Sequence, residues 1–130
     1  MKSENCFFTR REEELMELLW ETGQPMTSIE MIADKKERTW KDNYLKVIIR
    51  ALLEKGAIRV CGVKQYKTQY ARQFEYVITR EDYIAKQAVA KGLNGSSLTN
   101  IAVAMAKETG SEEELIARLE EVIKELREKK

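Results

Sequence analysis

The sequence contains no histidine, only two cysteines and no long apolar run. Without histidine a zinc site would need an unusual ligand set, and neither a metal nor a cofactor is expected. Cys6 and Cys61 are far apart and form no Cys-x-Cys or Cys-x-x-Cys pair, so they read as two reduced thiols rather than a disulfide framework. No stretch approaches the ~20 apolar residues that cross a bilayer, and a charged fraction of 35% argues further against a membrane protein. The opening residues, Met1 to Glu14, lack the apolar core and small-residue cleavage site of a signal peptide, so a cytoplasmic location is expected. Catalytic chemistry is equally scarce. There is no glycine-rich phosphate loop and no Ser or Cys with an evident neighbouring base, and the chain is not expected to be an enzyme.

What the sequence does have is charge arranged in blocks. The formal net charge is +1, but residues 1–34 carry 3 basic and 8 acidic groups, residues 35–80 carry 12 basic and 4 acidic, and residues 81–130 carry 8 basic and 10 acidic. The middle segment alone is strongly positive. That clustering is the electrostatic footprint of a phosphate-backbone binder, or else a solvated basic face without a partner.

The middle segment also has the clearest pattern. Residues 39–53, TWKDNYLKVIIRALL, read as one helix. Leu45, Ile48, Ile49 and Leu52 recur at i, i+3, i+4, i+7 as a buried stripe, while Asn43, Lys46, Val47 and Arg50 repeat that spacing on the opposite side, with Tyr44 beside them. A first helix is expected from about Arg10 to Glu21, with Thr9 as N-cap, Leu15, Leu18 and Leu19 inward, and Gly23 and Pro25 ending it. A short second helix opens at Thr27 with the capping box Thr27-Ser28-Ile29-Glu30, Ile29 and Ile32 pointing inward, and runs to about Asp34. Gly56 stops the third helix. Two strand-like runs follow, Ala57 to Val63 and Phe74 to Thr79, separated by a basic tip holding Lys64, Lys67 and Arg72. Helix, turn, helix, hairpin is the order of a winged helix-turn-helix, whose second helix of the motif enters the DNA major groove. The fold class is therefore mostly α with a small β-hairpin: a DNA-binding domain over 1–82 and a helical region over 83–130.

In that helical region, residues 80–91 form one segment and Asn94-Gly95-Ser96-Ser97 break it. A second helix carries Ile101, Val103 and Met105 and ends at Thr109-Gly110. A third, opened by a capping box at Ser111, carries Leu115, Leu119, Val122, Ile123 and Leu126 on one face. Three short helices have too little interior to bury that much apolar surface among themselves. A homodimer is expected, with its interface at Ile101, Met105, Leu115, Leu119, Val122, Ile123 and Leu126; packing of the tail on its own winged domain is the other solution. Two recognition helices related by a two-fold axis would read a palindromic double-stranded operator.

Arg50 is the leading candidate for a base contact, since arginine binds guanine O6 and N7 bidentately; its alternative is an ion pair with Glu54 one turn on. Asn43 suits adenine or the capping turn, Lys41 and Lys46 suit phosphate, and Tyr44 suits phosphate or sugar. Val47 either meets a thymine methyl or widens the buried stripe. Lys64, Lys67 and Arg72 are phosphate or minor-groove candidates. Tyr66 and Tyr70 offer a stacking platform or strand packing, and Trp20 and Trp40 belong to the core or its edge. Glu12 to Glu14 form a favourable helix N-terminus rather than a metal site.

Several stretches resemble the penicillinase-repressor family, the BlaI/MecI/CopY type of regulator. They are Phe8-Thr9-Arg10-Arg11-Glu12-Glu13-Glu14-Leu15-Met16-Glu17-Leu18-Leu19-Trp20, Trp40, Arg50-Ala51-Leu52-Leu53-Glu54-Lys55-Gly56, Thr79-Arg80-Glu81-Asp82-Tyr83, Leu93-Asn94-Gly95-Ser96, and Ser111-Glu112-Glu113-Glu114-Leu115. The resemblance spans nearly the whole chain in order. It implies a homodimeric repressor that holds operator DNA through the N-terminal winged helix and dimerises through the C-terminal helices; several such repressors answer to a membrane sensor-protease, and one branch answers to copper. The chain departs from the pattern where the family's recognition helix carries Ser or Thr, since Lys41, Tyr44 and Val47 stand there, and a different operator is expected. The copper branch's C-terminal cysteine pairs are absent, as is an Asn-Phe cleavage dipeptide in residues 83–130. A winged-helix module that binds protein instead of DNA is the alternative; the salt dependence of DNA binding separates the two.

Overall fold

The computed structural model describes residues 7–34 and 38–129, which puts Cys6 outside the described residues. The chain divides into two compact units, residues 1–87 and 88–130. The first begins with helix α1, Arg10–Thr22. Its start is fixed by a reciprocal box: the Glu12 amide donates to Thr9 Oγ1 at 3.2 Å and the Thr9 amide donates to Glu12 Oε1 at 3.0 Å. It stops at Gly23, whose left-handed φ of 71° lets its amide reach the Leu19 carbonyl. Leu15, Met16, Leu18 and Leu19 are buried.

Helix α2, Ser28–Ala33, opens with the expected box between Thr27 and Glu30. Its inward face differs from expectation. Ile29 and Ile32 are 43% and 42% exposed, while Met31 is 1% exposed. A six-residue helix offers less than two turns, so periodicity does not define its face, and the core takes Met31 together with Thr27. The Thr27 hydroxyl also bonds the Tyr66 hydroxyl at 2.8 Å, joining α2 to the hairpin. Thr27→Ala removes the cap and this link from a buried position, and a stability loss of about 1–2 kcal/mol is expected, measured as a lower urea midpoint with an unchanged slope.

The helix expected from residue 39 starts later than the sequence suggests and stops at Gly56 as expected. Lys41 is extended, Asp42–Tyr44 form a 3-10 turn, and helix α3 runs Leu45–Lys55. The cause lies upstream of the helix. Trp40 is drawn into the core at 6% exposure, and the Thr39 amide and hydroxyl both donate to Glu14 Oε1 at 2.9 Å. The chain at 39–41 is thereby held against α1 instead of winding. Leu45, Ile48, Ile49 and Leu52 are all buried, as the stripe predicts. At the other end Lys55 donates to Glu12 at 2.5 Å and to the Phe7 carbonyl at 3.0 Å, tying α3 to the start of α1.

Strands β1, Ile58–Tyr66, and β2, Gln69–Tyr76, pair antiparallel, with an irregularity at Cys61 between Val60 and Gly62. Met26 adds a short third rung by exchanging two hydrogen bonds with Phe74. The segment read as a basic tip over 63–74 is therefore mostly strand, and the turn is only Lys67-Thr68. Apart from Ile58 and Phe74 no hairpin residue is fully buried, and the partial burial of others such as Tyr66 and Tyr76 leaves only a weak version of the alternation that marks a half-buried strand. Lys67 has φ 56°, a left-handed conformation that costs an L-residue roughly 1–2 kcal/mol.

Helix α4, Arg80–Ala90, starts with the Asp82 amide donating to Thr79 Oγ1 at 3.0 Å. Tyr83 is buried, stacks on Phe8 with centroids 4.4 Å apart, and accepts the Phe8 amide at 3.1 Å. Trp20 Nε1 donates to the Ile78 carbonyl at 2.9 Å. Both tryptophans thus serve the core or its edge. The order of helix, turn, helix and hairpin is a winged helix, and further helices follow it.

In the second unit, helix α5 is Gly95–Thr109 and helix α6 is Glu112–Glu128. Asn94 caps α5 in a reciprocal box with Ser97. The box expected at Ser111 does not form; Ser111 makes no side-chain cap, and its amide turns to Thr109 Oγ1 at 3.4 Å. No described residue of α5 or α6 is buried. Leu115 and Leu119 are half-buried, while Ile101, Met105, Val122, Ile123 and Leu126 are exposed. Among the described residues no helix is long and apolar enough to cross a membrane.

Candidate nucleic-acid interface

The outward face of α3 is built by the same stripe that buries its inward face. With Leu45, Ile48, Ile49 and Leu52 anchored in the core, Lys46, Val47 and Arg50 are left exposed, and Asn43 and Tyr44 are exposed in the turn before them. Val47 is 51% exposed, so it does not widen the buried stripe. Arg50 makes no ion pair with Glu54 among the described residues, and the Asn43 side chain is not spent on capping.

Two grooves run along the flanks of α3. On the hairpin side, a groove of about 670 Å³ is lined by Ser28 and Ile29 of α2, Lys46, Ile49, Arg50 and Leu53 of α3, and Tyr70, Ala71, Arg72 and Phe74 of β2. Lys46, Arg50 and Arg72, which are scattered in sequence, are brought together there. On the other side, a groove of about 340 Å³ lies between the first turn of α1 and the start of α3, lined by Arg10, Arg11, Tyr44 and Val47 among others. Exposed Ile29 belongs to the first groove, which accounts for its position outside the core.

The cations of the first unit fall into two groups. Lys55 pairs with Glu12, Arg59 with Glu75, Lys64 with Glu30 and Arg80 with Glu17, each at 2.5–2.6 Å, Arg38 pairs with Asp34 at 2.9 Å, and Arg10 reaches Glu14 at 3.9 Å. Arg11, Lys41, Lys46, Arg50, Lys67 and Arg72 have no carboxylate at ion-pair distance among the described residues, and neither does Lys86 on α4. The first six lie on α3, ahead of it, on the hairpin, or on the α1 turn that faces Tyr44, and Lys86 stands apart from them. The uncompensated charge is therefore concentrated around one helix face. Lys64 is set apart from the other expected contacts, because Glu30 neutralises it and its ammonium lies 5.5 Å from the Tyr66 ring. Tyr66 is a packing residue, half-buried and bonded to Thr27, whereas Tyr70 is exposed at the groove edge.

The Lys64–Glu30 pair also sets a pH dependence. The Lys64 ammonium, followed by the Thr27 amide, holds the Glu30 carboxyl below its ordinary value of 4.5, and Glu30 raises Lys64 above 10.5. A lowered carboxyl contributes stability above its unfolded pKa, and that contribution is lost as pH falls from 4.5 through the folded value. A raised lysine contributes below 10.5 and loses its contribution as pH rises through the folded value. Glu30→Gln preserves the capping box, since glutamine also accepts the Thr27 amide, but it removes the charge. The expected result is a shallower loss of thermal midpoint below about pH 4.5 than in the wild type; an identical acid limb would show that the pair contributes nothing.

The remaining chemistry-bearing side chains lie elsewhere. Partial desolvation, with the Glu75 carboxylate beside it, raises the thiol of exposed Cys61 above its ordinary 9.0. The acidic run at the start of α1 has tertiary duties that sequence pattern did not reveal: Glu12 receives Lys55, and Glu14 receives Thr39. Among the described residues no group of three or more His, Cys, Asp or Glu side chains is arranged to hold a metal ion. Arg11, beside the candidate interface, is a residue that the sequence pattern did not mark; its guanidinium lies 4.7 Å from the centroid of the Tyr44 ring. Nothing local announces that contact, because it joins residues far apart in sequence.

A sequence model described as penicillinase repressor matches residues 8–125. No curated protein and no solved structure matches the chain.

Proposed function

The chain belongs to the penicillinase repressor family, and from that premise we propose that it is a homodimeric repressor whose two α3 helices occupy a palindromic operator. The family assigns it to transcriptional regulation and to DNA as a partner, and it is a family of repressors rather than enzymes. The observation that carries the finer reading is the sorting of charge. Most described cations away from α3 are matched by carboxylates, Lys86 on α4 being an exception, while Arg11, Lys41, Lys46, Arg50, Lys67 and Arg72 are left uncompensated on or beside its exposed face. In this reading Arg50 and Asn43 address base edges and Val47 meets a thymine methyl. Lys41, Lys46, Lys67 and Arg72 position the helix on phosphates. Lys64 contributes less, because binding phosphate would require it to leave Glu30.

The exposed apolar residues of α5 and α6 support the dimer. Val122, Ile123 and Leu126 continue the face begun by half-buried Leu115 and Leu119, and Ile101 and Met105 add to it from α5. A second copy would remove this surface from water and relate the two α3 helices by a two-fold axis. Selection of binding sites from a random duplex library tests the proposal. The expected product is a pair of inverted half-sites whose centres are about one helical turn, 10–10.5 bp, or a multiple of it apart. Enrichment of single half-sites without inverted repeats would contradict it.

A further inference from the structure

We propose that Arg11 is a DNA phosphate contact, held on the Tyr44 ring, so that α3 is bracketed by an arginine on each flank: Arg11 from α1 and Arg72 from the hairpin. This rests on the DNA-binding reading above and adds a contact on the side of α3 away from the hairpin. The two flanks have matching construction. The Arg11 guanidinium carbon lies 4.7 Å from the Tyr44 centroid, and that of Arg72 lies 5.2 Å from the Phe74 centroid. Each side chain is exposed, each borders a groove along α3, and neither has a carboxylate partner among the described residues. A guanidinium lying over an aromatic face is held by cation–π attraction while its N–H donors stay free. A carboxylate partner would do the opposite, occupying those donors, as Glu75 does for Arg59.

The geometry of the major groove gives these flanks their meaning. An α-helix with its side chains is about 10–12 Å across, and the major groove is about 12 Å wide. A helix seated there fills it, and its two flanks face the phosphate backbones of opposite strands. Tyr44 and Val47 lie on the α1 flank, whereas Lys46 and Arg50 lie on the hairpin flank. Arg11 therefore serves one strand and Arg72 the other. Tyr44 is then a positioning residue whose ring carries Arg11, and its hydroxyl is dispensable.

The test is the salt dependence of binding by the full chain to a random-sequence duplex, where only phosphate contacts count. Arg11→Ala is expected to reduce the slope of log affinity against log salt by about 0.9 per protomer, and Arg72→Ala by the same amount. Because the two residues meet different strands, the double variant is expected to show the sum. Tyr44→Phe keeps the wild-type slope, and Tyr44→Ala loses as much as Arg11→Ala. Circular dichroism and the urea midpoint establish that each variant is folded. A wild-type slope that is steep but unchanged by Arg11→Ala would overturn the Arg11 assignment and leave the DNA reading standing. A wild-type chain that shows no salt-dependent binding would overturn both.

Discussion

Replacing Arg50 with alanine is expected to weaken binding to the operator by roughly 5- to 150-fold, the range of about 1–3 kcal/mol for one bidentate base contact, while binding to random duplex falls far less. The expectation follows from where the side chain sits. Arg50 projects from the exposed face of α3 with its inward neighbours Ile49 and Leu52 buried, and the i+4 carboxylate of Glu54 does not hold it. A guanidinium free of intramolecular partners keeps its donors available for guanine O6 and N7. Anisotropy titrations of the variant on both duplexes measure the difference. An equal loss on the two would make Arg50 a phosphate contact, to be counted with Lys46 and Arg72.

The second large effect concerns the tail. Replacing Leu119, Val122 and Leu126 with aspartate is expected to abolish the proposed dimer, because three carboxylates placed within an apolar contact would each have to be desolvated without a partner. These positions are half-buried or exposed within the described chain, so the substitutions spare the winged helix, whose core lies in Leu15, Leu19, Leu45, Ile48, Leu52 and Phe74. Sedimentation velocity should then give a monomer with native helix content, and operator affinity should drop toward that of a single half-site. A triple variant that still sediments as a dimer would place the interface elsewhere.

Much of the winged helix was legible because its signals are local. Thr9 and Thr27 are each followed three residues later by glutamate, Gly56 follows the last turn of α3, and the α3 stripe repeats long enough to define a face. Legibility failed where the deciding partner is distant. Trp40 and Thr39 are held by the core and by Glu14, and this delays the start of α3. Ile29 and Ile32 look like core residues in a six-residue helix, yet Met31 takes that place. The hairpin past Val60 is mostly exposed or half-buried and turns at Lys67-Thr68 without glycine or asparagine, so neither alternation nor turn chemistry marked it. The interface shows the same division. The exposed face of α3 follows from its buried stripe, but the grouping of Arg72 with Lys46 and Arg50, the neutralisation of Lys64 by Glu30, and the stacking of Arg11 on Tyr44 are products of the tertiary fold.

The most direct measurement is fluorescence anisotropy of the wild-type chain on DNA from upstream of its own gene and on random duplex, across a salt series. A repressor dimer engaging ~8 to 12 phosphates should bind the upstream DNA more tightly, with two protomers per site and a steep negative slope of log affinity against log salt. Equal, weak binding to both duplexes with almost no slope would contradict DNA recognition and turn the exposed face of α3 toward a protein partner.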